Sequence, residues 1–302
     1  MAIARLDNEV FFKKAFTDEL VFKAFVHDIV GIDILPDKIE TEKSFSPRLG
    51  NINFKYDIFA EDSTNRVIVE IQKVEYDHNF DRFLHYHNKA ISEQQRGSDD
   101  YTVGKTVYTI VVLTAPYKKD KNTGNLCKDE VLISKSNPNN LQGIERKIFN
   151  HEMILLNPNY KGESTPSNYR DWLDLIYESI HHPDQPEINL GNLGIKRASE
   201  LVNTTNIDPF EWEASKFAAS KKKVIEVERE EGIEIGKEIG KEIGKEIGKE
   251  IGKEIGKGIG KEEEKVSVAE NAIKAGLDNF TIMMLTSLSE IQIIQLRDEL
   301  FK

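Results

Sequence analysis

The chain reads as an α/β protein: a mixed central sheet of about four or five strands flanked by helices, followed by a repeat and a small helical tail. Three observations predict this. Alternating or β-branched runs occur at 53–60, 66–74, 105–115 and 148–157; segments of helical period lie before, between and after them; and past residue 226 the sequence turns into KEIG repeated five times. The divisions expected are an α/β domain over 1–222, a Gly-Lys-Glu-Ile spacer over 223–265 and a tail over 266–302.

Residues 8–30 place Val10, Phe11, Ala15, Phe22, Phe25, Val26 and Ile29 on one broad apolar face, with Asp7 expected as N-cap. NFKYDIFA (53–60) and RVIVEIQKV (66–74), separated by EDSTN, read as a hairpin. HNFDRFLHYHNKAISEQQ (78–95) has helical period, and KTVYTIVVLTA (105–115) is a strand apolar on both faces, as a buried one must be. One more strand is expected in IFNHEMILLN (148–157) and a helix burying Trp172, Leu173, Leu175 and Ile176 over 169–180. The stretch 181–210, with Pro183 and Pro186, reads mostly as loop, and a last helix starts near Pro209.

In the repeat, a period of four advances each Ile by about 40° around a helix, so Ile239, Ile243, Ile247, Ile251 and Ile255 trace a spiral, not a seam. Nine glycines between 232 and 260 each weaken a helix by about 1 kcal/mol, partly offset by pairs such as Glu238 with Lys241. A marginal helix or solvated spacer is expected. The Lys-Glu pair in every repeat forbids burial in lipid, and the Gly-Lys steps lack the Ser or Thr of a phosphate loop. The tail's Ala269, Ile273, Leu277, Ile282, Leu285, Leu288, Ile291, Ile294 and Leu300 fall at helical spacings, broken by Gly276 and Ser289 into about three short helices.

Composition narrows the chemistry. With 39% hydrophobic and 31% charged residues the 302-residue chain is neither disordered nor collagen-like, and the lone Cys127 excludes an internal disulfide or a cysteine-built zinc site. No run spans a bilayer, and Asp7 and Glu9 stand where a signal peptide would carry its apolar core, so a cytoplasmic protein without membrane partners is expected. The net charge of -11 argues against coating nucleic acid by bulk electrostatics but leaves a local basic groove open. Dinucleotide loops and nucleophile elbows are missing, which leaves hydride and acyl transfer unsupported.

The hairpin is the informative segment. A turn centred between Ser63 and Thr64 puts Asp57 opposite Glu70 with β-carbons about 5 Å apart. Alternation places Glu70 and Gln72 on one face, with Ile71 and Lys73 on the other. Facing carboxylates repel unless a cation lies between them, and a hard divalent ion suits them; the bland alternative is a charged, exposed sheet face. Such an ion would favour phosphodiester hydrolysis by activating water and neutralising phosphate charge. On the helix that follows, Arg82 either holds a phosphate or pairs with Asp81, Glu70 or another acid. His85 and His87 diverge by about 200° and cannot share a metal from a regular helix, so packing or surface roles are expected for them and His78. Tyr101 and Lys105 read as strand flanks, and SKFAASKKKV (215–224) as a basic helix cap or linker.

Asp57, followed by Glu70-Ile71-Gln72 at the end of an apolar strand, resembles the D…(D/E)xK site of the PD-(D/E)XK nuclease superfamily, and in particular its recombination-promoting nuclease/transposase-like branch, where Gln stands in the Lys position. LDNEVFFKKAF, KYDIFAED, VIVEIQK, FDRFLHYHNKA, the late Trp helix, the Gly-Lys-Glu repeats and ENAIKAGLDNFTIMMLTSLSEIQIIQL fit the same branch in order and spacing across nearly the whole chain. The resemblance implies a restriction-endonuclease-like core and a DNA endonuclease in which Asp57 and Glu70 bind Mg2+, or Mn2+, and Gln72 orients the attacking water. Gln is neutral and cannot take a proton, so the base becomes hydroxide at the cation, a substrate phosphate or another side chain. Lys73 substitutes only if a bulge turns it round; Lys73 and Arg82 are the candidate phosphate contacts. Two alternatives stand beside this: a silenced DNA-binding or assembly module that keeps the fold, and a scaffold that forms homo-oligomers through the repeat and tail.

Overall fold

A computed structural model describes residues 1–45, 55–72, 80–95, 99, 102–115 and 131–301. Lys73, His78, Tyr101 and Cys127 lie outside the described residues. The chain divides into two compact units, 1–222 and 223–302.

Two helices, not one, open the chain. Asn8 rather than Asp7 caps α1 (Glu9–Phe16), its side chain accepting from Val10 N, while Asp7 pairs with Arg5. Helix α1 ends at Thr17, and Asp18 caps α2 (Glu19–Val30) by accepting from Val21 N. The apolar face read across 8–30 is therefore shared between two helices, because two cap residues interrupt the backbone within one apolar period. Gly31, at φ 79°, ends α2 in the left-handed conformation that suits a residue without a β-carbon.

Among the described residues six strands form one mixed sheet in the order β1-β2-β3-β4-β6-β5. They are β1 (Ile39–Lys43), β2 (Tyr56–Glu61), β3 (Asn65–Gln72), β4 (Thr106–Leu113), β5 (Val131–Lys135) and β6 (Glu152–Leu156). The expected strands form the centre, where β3 and β4 run parallel as do β4 and β6. The two additional strands, β1 and β5, are the edges, each antiparallel to its neighbour. IETEK has no buried residue and VLISK is exposed beyond its first residue, so neither carries the alternation that marks a half-buried strand.

Between β3 and β4 runs α3 (Asp81–Ser92), which packs Tyr86 and Ala90 against Tyr56, Phe59, Ile68 and Val107, and Phe83 against Val111, Leu113 and Leu155. The other sheet face, with Ile58, Ala60, Val67, Val69 and Ile71, is covered by α1, α2, α4 (Ser167–His181) and α5 (Leu193–Leu201). Phe12, Phe16, Phe25 and Trp172 stack or meet edge to face at its centre. Helix α5 lies in a stretch expected to be loop. Asn192 caps it, and at Gly194 a β-carbon would come within 2.5 Å of Ala24 Cβ and 3.0 Å of the Trp172 ring. Close approach of a helix, not chain reversal, explains that glycine.

Of the marginal helix or spacer expected for the repeat, the helix forms: α6 (Pro209–Lys274) is one continuous helix. Its isoleucines stay about half exposed, from 51% at Ile243 to 57% at Ile255, as a spiral without a seam requires. Helices α7 (Asn279–Thr286) and α8 (Glu290–Leu300), the latter with a Ser289/Gln292 capping box, close a small core of Ala269, Ala272, Ile273, Ile282, Leu288 and Ile293 within the second unit. Among the described residues no helix is long and apolar enough to cross a membrane.

Candidate active site

The hairpin has the register expected: Ile58 pairs with Val69, Phe59 with Ile68, Ala60 with Val67 and Glu61 with Arg66. The ladder stops at Ile58 and Val69, one residue short of Asp57 and Glu70. There the side chains take over the main-chain bonding. Asp57 N–H donates to Glu70 Oε1 at 3.1 Å, and Ile71 N–H donates to Asp57 Oδ2 at 3.0 Å. The local packing shows why the strands part here. Tyr56 packs with Phe59 on the α3 side whereas Ile58 packs on the α1 side, so alternation slips at Asp57.

Strand β1 adds a third acid at the same level. Thr41 pairs with Ile58 and Lys43 with Tyr56, so Glu42 stands beside Asp57. Glu42 has φ 53°, in the left-handed region that a non-glycine residue enters at a cost of the order of 1 kcal/mol. Helix α1 contributes Glu9. Ligand atoms of Glu9, Glu42 and Asp57 all lie within 4.8 Å of one another. Among them sits Lys13, one turn from Glu9, paired with Glu9 and Glu42 and 3.6 Å from Asp57 Oδ1. Sequence reasoning passed over Glu9, Glu42 and Lys13. The i,i+4 pair on α1 was visible, but Glu42 sits on an edge strand with no sequence signature.

Burial sets the electrostatics. Glu70 is 1% exposed, and burial followed by the Asp57 charge pushes its pKa well above the usual carboxylate range; Asp57 N–H, Arg82 and Lys13 offset this only partly. Burial also raises Asp57, against the lowering effects of the Ile71 N–H and Lys13. For Lys13, burial opposes the charge, yet its contacts with Glu42 and Glu9 and the nearby Asp57 outweigh burial and raise its pKa. Burial thus disfavours charge on Glu70, while Lys13 compensates Glu9, Glu42 and Asp57.

Gln72, half-buried at the end of β3, accepts from Arg82 Nη1 at 3.1 Å, and Arg82 Nε donates to Tyr86 Oη at 3.1 Å. Among the described residues Arg82 makes no ion pair with Asp81, Glu70 or another acid. Because Arg only donates, Gln72 Oε1 must face it, which turns the amide NH2 away as a donor. His87 is buried, with Nδ1 2.9 Å from Thr109 Oγ1, and burial followed by the proximity of His151 lowers its pKa to about 4. His85 is exposed, so the histidines of α3 divide between packing and surface.

All four acids offer hard oxygen ligands, the donor set of Mg2+, Mn2+ or Ca2+, with no thiolate or imidazole among them. A family model described as PD-(D/E)XK nuclease family transposase matches residues 19–228, a span that holds Glu42, Asp57, Glu70, Gln72 and Arg82 and starts after Glu9 and Lys13. No curated protein and no solved structure matches the chain.

Proposed function

Since the chain belongs to the PD-(D/E)XK nuclease transposase family, we propose that it is a Mg2+-dependent DNA endonuclease, with Mn2+ as a substitute ion, acting in recombination or in the movement of mobile elements. The observation that carries this reading is the pair of hydrogen bonds, Asp57 N–H to the Glu70 carboxylate and Ile71 N–H to the Asp57 carboxylate, where the hairpin ladder ends. It supports a role for these acids beyond charge on a sheet surface. A ladder broken at two carboxylates gives up backbone pairing to place them.

Asp57 and Glu70 would hold the cation, with Glu42 and Glu9 near enough to Asp57 to share in it. When bound, a divalent ion stabilises charge on a phosphate oxygen and lowers the pKa of water. Gln72 is held by Arg82, so its NH2 orients a water or a phosphate oxygen by donating and cannot act as the base. Arg82, whose hydrogen-bond partners among the described residues are the neutral Gln72 and Tyr86, is a candidate phosphate contact. Lys73 remains a candidate phosphate contact by sequence alone.

The test is cleavage of plasmid DNA by the full chain. Nicking or cutting should require Mg2+ or Mn2+, and Glu70→Ala should lower the rate by about a thousandfold or more. Cutting that survives EDTA would falsify the mechanism. The second reading, a DNA-binding or assembly module that has lost turnover, is favoured by one feature, the neutral Gln72 in the Lys position. It predicts salt-sensitive DNA retention without cleavage, and no gain of activity in Gln72→Lys.

A further inference from the structure

We infer that Lys13 is a built-in counter-cation of the acidic site, which a divalent ion must displace in order to bind. The inference rests on the metal-site reading above and adds a competitor to it. It concerns the chain's own α1, which precedes the region matched by the family model.

Three observations converge. Glu9, Glu42 and Asp57 are close enough for one small cation to reach all three, and the Lys13 ammonium already pairs with the first two and lies 3.6 Å from the third. The side chain of Lys13 is only 15% exposed, so it is committed to this place rather than sampling solvent. Glu42 reaches Lys13 from a backbone at φ 53°, a conformation that persists only where the surroundings hold it. A second lysine, Lys55, lies 3.7 Å from the other Glu42 oxygen, but its side chain is 55% exposed.

Two cations cannot share these oxygens. A divalent ion takes carboxylate oxygens at about 2.0–2.6 Å, inside the shell an ammonium needs for its own hydrogen bonds, and an ammonium left in place would repel it. Metal uptake is therefore an exchange. The four-carbon stem lets Lys13 swing outward on exchange, leaving its charge at the rim of a site that must receive a polyanion. Without metal, the same residue keeps three acids from repelling one another.

Two measurements on the full-length protein test this. In Mn2+ titration calorimetry, Lys13→Met should bind about tenfold more tightly than wild type, because the competitor is gone and the acids are uncompensated, while Lys13→Arg should stay within about threefold of wild type. In wild type itself, amine acylation read by mass spectrometry should show Lys13 protected without metal and several-fold more reactive with Mn2+, with Lys55 little changed; this needs no variant to fold. If wild type binds Mn2+ while Lys13→Met binds it no more tightly and Lys13 stays protected, the lysine inference fails and the metal site stands. If neither protein binds Mn2+, both fail.

Discussion

Two regions of this chain carry dense charge and hold it in opposite ways. At the strand ends of the first unit, Glu42, Asp57 and Glu70 are fixed by backbone N–H groups, by Lys13 and by burial. Along α6, each KEIG unit carries one Lys and one Glu in solvent, and the side chains between them remain about half exposed. The first arrangement depends on tertiary packing and perturbs pKa values; the second is met by local helix geometry and water. Equal charge density therefore has chemical consequences only where the fold withholds solvent.

The contrast can be broken most directly by large-to-small substitution. Trp172→Ala should cost about 3–5 kcal/mol, because the ring is fully buried among Phe16, Phe25 and the Gly194 backbone, whereas Ile247→Ala in the repeat should stay within about 0.5 kcal/mol. Urea unfolding read by the fluorescence of Trp212, whose ring meets Phe11 edge to face, would measure both. Equal costs would mean that the repeat is packed as tightly as the core.

A smaller effect is expected with pH. His87 has its folded pKa lowered to about 4, below the usual value near 6.5, so the unfolded chain binds the proton more readily between these limits. Its contribution is full above pH 6.5 and is lost as pH falls through 4, to a maximum of about 3 kcal/mol. His151, lowered by burial, acts in the same direction. His87→Gln should flatten the fall of stability over this window in urea titrations. An unchanged slope in that variant would assign the acid sensitivity elsewhere.

The least effect is predicted for shortening the repeat. Removal of residues 241–248, two KEIG units, should leave the Trp212 transition unchanged within about 0.5 kcal/mol and leave DNA cleavage intact. Loss of cleavage would show that helix length, and not only the strand-end acids, serves the reaction.

By itself the sequence determined the central strands, the hairpin register and the closeness of Asp57 to Glu70, because alternation and a short turn leave the hairpin almost no other pairing. It also determined the absence of an isoleucine seam in the repeat, since that follows from helix geometry alone. Tertiary structure decided the rest. The edge strands β1 and β5 exist through pairing with a neighbour, α5 through its close approach to Trp172 and Ala24, and the group of Glu9, Lys13, Glu42 and Asp57 through the docking of α1 beside the sheet. These residues lie up to 48 positions apart, from Glu9 to Asp57. A pattern confined to neighbours in the chain cannot specify which distant charges will share one small volume, and only burial of the apolar faces around them brings them there.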